Sequence, residues 1–272
     1  MRVGFIGLGS QGGPMARRII AAGYPTTLWA RRAATLEPFA ESGAATAETP
    51  SALGAGSDLV CVCVVGDDDV LEVLTGEHGV LAGMSAGGVV AVHSTVHPDT
   101  CRELAKTAAV QNISLIDAPV SGGGPAAEAG RLLVMAGGDA EVVQRCRPVF
   151  DSYADPVVHL GEVGSGQVTK LLNNLLFTAN LATAMSTFTL GAGLGVDPAR
   201  LGEVIAHGTA NSFALGRIVD AGVSLDRLAQ YAGALLRKDV SLVASLADAA
   251  GADPGVVLTA ADATLALMNQ RR

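Results

Sequence analysis

The stretch Val3-Gly4-Phe5-Ile6-Gly7-Leu8-Gly9-Ser10-Gln11-Gly12 decides the fold. Val3 to Ile6 is a continuous apolar run of the kind that lies buried on both faces of a parallel sheet. It leads directly into Gly7, Gly9 and Gly12 at Gly-x-Gly-x-x-Gly spacing, and then into a helix predicted from Pro14 to Gly23. In such a strand, loop and helix the first glycine makes a tight turn, the second lets backbone approach a pyrophosphate, and the third lets the helix pack closely. The helix N-terminus adds the positive end of a dipole. A tight turn with no ligand is the structural alternative. The context favours a dinucleotide, with Gly7, Leu8, Gly9, Ser10, Gln11 and Gly12 as its cradle.

Outward from this loop the pattern repeats. A second strand, Thr26 to Trp29, ends in Ala30-Arg31-Arg32, where folds that choose NAD often carry an acid for the ribose hydroxyls. Two guanidinium groups suit the 2′-phosphate of NADP instead, so NADP(H) is expected over NAD(H), with Arg31 and Arg32 as its readers. The alternative is that both arginines start the next helix and point into water. A third strand is predicted over Leu59 to Val65, placing Val65 at the ligand end of the sheet. Asp67, Asp68 and Asp69 follow and read as an N-cap and first-turn acids of a helix, with no metal expected. The fourth strand, Val89 to His93, delivers Ser94 and Thr95 to that same end, before a helix after Pro98. His93 and His97 read as hydrogen-bonded structural residues, with catalysis the lesser alternative.

The fifth strand, Ser114 to Ile116, runs into Asp117-Ala118-Pro119-Val120-Ser121-Gly122-Gly123-Gly124. This segment is too long and glycine-rich for a hairpin, and its amides, with the Ser121 hydroxyl, suit a carboxylate or phosphate; a flexible loop is the alternative. Two more strands, Leu132 to Gly137 and Val157 to Leu160, are predicted around a helix over Ala140 to Phe150. Next comes a run without proline or glycine from Gln167 to Leu190, rich in helix formers and apolar on most faces, which implies a buried helix. Lys170 and Asn174 stand four apart on it, with Asn173 beside them, so one helical face can present both to the same small molecule; a snorkelling lysine and a helix-surface amide are the alternative. Beyond Gly195 the pattern is all-helical, with helices opening at Asp197-Pro198 and Asp253-Pro254 and one or two between Leu225 and Ala250.

The fold class expected is therefore α/β: a doubly wound Rossmann sheet over residues 1–162, then an all-α domain over 163–272, joined by a long helix at about 164–192. A length of 272 residues suits two domains. The net charge of −8, from 26 acidic and 18 basic residues, argues against nucleic-acid or anionic-membrane partners. No targeting segment precedes the first strand and no membrane-spanning stretch is expected, which implies a cytoplasmic protein. Cys61, Cys63, Cys101 and Cys146 read as reduced core thiols.

Four motifs in order, GFIGLGSQGGPMA, DAPVSGGGPAAEAG, GSGQVTKLLNNLL and LLRKDVSL, resemble the β-hydroxyacid dehydrogenase family over essentially the whole chain. The resemblance implies hydride transfer between NAD(P) and a small β-hydroxyacid or semialdehyde, and a homodimer or homotetramer. It places Lys170 as the catalytic lysine and Asn174 as a substrate-binding amide. It also places Ser121, Gly122 and Gly123 on the substrate carboxylate and Lys238 near the cofactor. Two departures stand out: Gln11 replaces a common methionine, and Arg131 stands where threonine is frequent, which bears on substrate choice. Imine reductases and nonenzymatic dinucleotide-binding modules resemble the same fold, but usually without the lysine. A lysine ammonium also suits the chemistry, because it stabilises and protonates the oxygen on which charge develops.

Overall fold

The computed structural model describes residues 1–272. Its first half alternates strand and helix: β1 (Val3–Ile6), α1 (Gly12–Ala21), β2 (Thr26–Trp29), β3 (Ala45–Thr46), α2 (Pro50–Ala55), β4 (Leu59–Val62), α3 (Asp67–Thr75), α4 (Val80–Gly83), β5 (Val89–Val92), α5 (Pro98–Ala109) and β6 (Ser114–Asp117). These six strands form one parallel sheet in the order β3-β2-β1-β4-β5-β6. The order reverses between β1 and β4, which opens a crevice at the strands' carboxyl ends, where the glycine loop sits.

Alternation along the strands explains why both sheet faces are covered. Val3, Phe5, Leu28, Leu59, Cys61 and Ile116 point to one side and pack with Met15 and Ile19 of α1. Ile6, Val60, Val62, Val90, Val92 and Leu115 point to the other, against Leu53, Val70, Leu74 and Leu104. The edge strand β3 is two exposed residues long and left no pattern to read. The third expected strand ends at Val62, three residues short of Val65. There the chain peels off the ladder, because the Val64 amide donates to Ser94 Oγ at 2.8 Å instead of to a neighbouring strand.

A second, three-stranded sheet follows, built from β7 (Val120–Ser121), β8 (Leu132–Ala136) and β9 (Ala154–His159), with α6 (Gly123–Glu128) and α7 (Ala140–Phe150) between them. β7 runs antiparallel and β9 parallel to β8. A bridge from Asp117 to Gly137 ties this sheet to β6.

The rest is helical: α8 (Ser165–Gly193), α9 (Pro198–His207), α10 (Phe213–Asp220), α11 (Asp226–Ala250) and α12 (Gly255–Leu267). Asp197 and Ser212 cap α9 and α10 by accepting the amides of Arg200 and Leu215, and α11 ends at Gly251 in the left-handed conformation. The chain divides into two compact units, Met1–Lys170 and Leu171–Arg272. The division falls inside α8 because its first residues bond to the sheet, while Leu171, Leu175 and Phe188 pack with Leu215, Ile218, Leu236, Val240 and Leu265 in a separate core.

Two expectations about α8 need correction. By length and composition it is apolar enough to cross a membrane, contrary to the expected absence of such a stretch, but its apolar face is the core of a folded unit. Nor is it buried all round: Leu172, Leu176 and Leu190 are each more than half exposed, because the second unit's other helices cover only part of its circumference.

Candidate functional site

The glycine loop carries a division of labour that side-chain sterics make visible. Gly7 has φ +97°, and a Cβ there would overlap the Cys63 carbonyl; a Cβ on Gly12 would overlap the carbonyl of Gly7. A Cβ on Gly9 would meet nothing within 4 Å, so open space lies before the backbone where a pyrophosphate would approach. The first turn of α1 contains no acid, leaving the positive end of its dipole uncompensated for an anion. Leu8, Ser10 and Gln11 complete this loop. Gly124, at the start of α6, lies against it, since its Cβ would come within 2.8 Å of the Ser10 carbonyl. The segment expected to hold a carboxylate is therefore a neighbour of the segment that fits a dinucleotide.

That carboxylate segment is more ordered than a flexible loop. Ala118 and Val120 are buried, and Ser121 pairs with Leu133 across β7 and β8. Only at Gly122 and Gly123, with φ of +130° and +73°, does the backbone turn outward and become exposed. Arg131 is exposed, and its amide closes the turn after α6 by donating to the Ala126 carbonyl.

His93 is a structural residue. It is buried, with Nδ1 2.6 Å from the Ala118 carbonyl and Nε2 3.1 Å from the Tyr153 hydroxyl. A carbonyl only accepts, so Nδ1 carries the proton and Nε2 accepts from the phenol. Burial pushes the imidazole pKa down to about 4, against a weaker upward pull from Ala118. His97 accepts the Asp99 amide and thereby caps α5.

At the root of α8 lies an arrangement that sequence reasoning missed. Asp117 is fully buried; its Oδ1 accepts the Gly164 amide at 2.7 Å and its Oδ2 accepts the Gln167 amide at 2.8 Å. Burial raises its pKa, while these two amides oppose the rise. The Gln167 side chain, also fully buried, accepts the Val96 amide at 3.1 Å and donates to the Ser94 carbonyl at 2.8 Å. Lys170 follows three residues later, on the same helix, and is 8% exposed. The available signal was an acid closing an apolar strand and an amide opening an apolar helix.

In the second unit, Asn174 Nδ2 donates to Asp239 Oδ2 at 2.7 Å, and its Oδ1 accepts from Asn173 at 3.1 Å. Asp239 is 5% exposed, and its Oδ1 stands 3.1 Å from the Lys238 ammonium as an ion pair without hydrogen-bond geometry. Asp239 is thus the buried member of a polar cluster in which Asn174 and Lys238 are half-buried. Asp239 was legible in principle, since it shares a helical face with buried Leu236, Val240 and Val243.

The end of β2 is of another character. Arg31 is 60% exposed and paired with Asp69 at 3.0 Å and Glu72 at 2.7 Å, and Arg32 is exposed at the start of a short turn. The α3 acids stand in its first turn as expected, but none of them is the N-cap. Gly66 occupies the N-cap position, and Asp67 accepts from the His97 amide and the Thr100 hydroxyl, tying α3 to α5. Val65, at the ligand end of the sheet, is 70% exposed, and Thr95 is half-buried.

Comparison with known proteins agrees along the whole chain. Residues 2–161 match the NAD binding domain of 6-phosphogluconate dehydrogenase, and residues 164–271 match the NAD-binding domain of NADP-dependent 3-hydroxyisobutyrate dehydrogenase. A 3-hydroxyisobutyrate dehydrogenase of Pseudomonas aeruginosa is 32% identical over 91% of this chain and 85% of its own. The 2-(hydroxymethyl)glutarate dehydrogenase of Eubacterium barkeri is 32% identical over 89% of this chain and 81% of its own. Among solved structures, the 3-hydroxyisobutyrate dehydrogenase of Mycobacterium tuberculosis with L-serine superposes with a TM-score of 0.86 at 26% identity, covering 99% of each chain.

Proposed function

This chain belongs to the β-hydroxyacid dehydrogenase family and is an NAD(P)-dependent dehydrogenase of small hydroxyacids, and on that premise we propose that Lys170 is its general acid and base. The observation that carries the assignment is a nearly buried lysine one turn beyond a helix root that hydrogen bonds fix to the sheet bearing the glycine loop. When bound, the nicotinamide gives or takes the hydride. In reduction, Lys170 Nζ donates a proton to the carbonyl oxygen as charge builds on it; in oxidation, the neutral amine takes the hydroxyl proton. Asn174 stands four residues on along α8, and with one amide hydrogen committed to Asp239 it keeps the other for a substrate oxygen. The Ser121 hydroxyl and the turned-out backbone at Gly122 and Gly123 orient the substrate carboxylate.

NADP(H) is the preferred cofactor in this reading. Ala30 supplies no acid to repel a 2′-phosphate, and an exposed Arg32 follows Arg31 after β2. Arg31 exchanges its exposed ion pairs with Asp69 and Glu72 for the phosphate. A panel of small hydroxyacids and semialdehydes with both cofactors, read by nicotinamide absorbance, tests the assignment. Turnover of 3-hydroxyacids is expected, and reduction of cyclic imines alone would overturn it.

The second unit is also expected to form a homo-oligomer, a dimer in its simplest form, because α8 leaves Leu172, Leu176 and Leu190 largely exposed beside Leu194. Light scattering at micromolar concentration should report at least twice the chain mass; a fully active monomer would contradict it.

A further inference from the structure

The first turn of α8 has no capping side chain of its own. Gly164 precedes it without a side chain, and the Ser165 hydroxyl is turned back to the Glu162 carbonyl. Two amides at this end, those of Gly164 and Gln167, are taken up by a residue 47 and 50 positions earlier in the chain. Asp117 reaches both with one carboxylate, and its charge also complements the positive end of the helix dipole. Two glycines make room for it: a Cβ on Gly137 would stand 2.5 Å from Oδ1, and one on Gly166 would stand 2.8 Å from Oδ2. The backbone of Asp117 is fixed in turn, exchanging hydrogen bonds with Gly137 at 3.0 and 2.7 Å. On the far side, Arg102 faces the group, packed against Gly164 and paired with Asp99.

We propose that Asp117 is a positioning residue for the reaction: by gripping the Gly164 and Gln167 amides it sets the rotation and depth of the helix root, and so where Lys170 presents its ammonium. Gln167 is the second tether of the same turn, through Ser94 and Val96. Two tethers to different strand ends fix a helix against rotation as well as translation, which one cap does not do. Lys170 follows Gln167 by three residues, so a few degrees of rotation at the root displace its long side chain at the reacting oxygen. The inference rests on the reading of Lys170 as acid and base.

The test is a double-mutant cycle on the full-length enzyme with saturating cofactor, comparing wild type, Asp117→Asn, Lys170→Ala and the double variant. Asparagine keeps the shape but offers one acceptor and turns an N–H toward an N–H. The expected result is a fall in kcat of about tenfold or more for Asp117→Asn, as misplacement from a general acid produces, with binary cofactor affinity unchanged within about twofold. In the Lys170→Ala background the same change should cost less than about twofold, because Asp117 acts through the lysine. Active molecules are counted by cofactor titration, and Asp117→Ser, with one acceptor retained, replaces the amide variant if that fails to fold. An equal loss in both backgrounds, or kcat kept in Asp117→Asn while Lys170→Ala is inactive, overturns the positioning role alone. Full turnover in Lys170→Ala overturns the lysine assignment and this inference with it.

Discussion

The root of α8 and the end of β2 both stand at the ligand end of the same sheet, yet they are built in opposite ways. At the root, Asp117 and Gln167 are buried, as is His93 just past β5, and each makes hydrogen bonds with backbone that belongs to another element. At the end of β2, Arg31 and Arg32 are solvated, and Arg31 is held by two exposed acids. A buried polar group left without its partner costs about 1–3 kcal/mol, whereas an exposed ion pair is worth about 0.2–1 kcal/mol. If Lys170 and the arginines act as proposed, the geometry for proton transfer rests on groups that cannot change partners, and recognition of a phosphate on groups that can.

Acid should expose this difference most strongly, through His93. Its pKa is held at about 4 in the fold against 6.5 ordinarily, so the unfolded chain takes up a proton that the folded chain refuses. The stability it contributes is complete above pH 6.5 and is lost as pH falls toward 4, by ~3 kcal/mol in all. Asp117, with its pKa raised, works in the other direction over its own window but is common to wild type and variant. Denaturant unfolding from pH 7.5 to 4 should show the margin of wild type over His93→Gln shrinking by that amount. Parallel curves would mean that the imidazole is not buried and neutral.

The exposed region should respond in affinity and leave stability alone. Replacing Arg31 and Arg32 by alanine is expected to weaken NADPH by roughly tenfold to a hundredfold, the scale of one or two hydrogen bonds to a charged group, with NADH nearly unaffected. Removing the competing acids, as Asp69→Asn with Glu72→Gln, sharpens the contrast: NADPH should tighten by less than about fivefold, since only exposed pairs are released. Equal losses for both cofactors, measured by fluorescence titration, would make the arginines a solvated turn.

The same contrast governs what the sequence revealed. Val3 to Ile6 with Gly7, Gly9 and Gly12 specified strand, turn and helix locally, because steric demands on glycine and apolar burial act over a few residues. β2 and α7 fell where their patterns placed them. Lys170, Asn174 and Ser121 stood out as candidates through their setting in motifs. Asp117 and Gln167 were not legible, because their meaning lies in backbone amides and a carbonyl contributed by segments up to 73 residues away. Nor was the pairing of Arg31 with Asp69 and Glu72, which depends on α3 lying beside the end of β2. Two strands of the second sheet were read, β8 and the end of β9, but β7 was hidden for a similar reason: it is two residues long and exists only because β8 pairs with it.

The central claim is that Lys170 moves the proton, and a single-turnover comparison of wild type with Lys170→Ala, at saturating cofactor and with a hydroxyacid that the wild type turns over, tests it most directly. Stopped-flow absorbance of the nicotinamide should show hydride transfer slowed by roughly 10²-fold or more, the scale of losing a general acid or base, with cofactor affinity unchanged. Hydride transfer at the wild-type rate in the alanine variant would contradict the account.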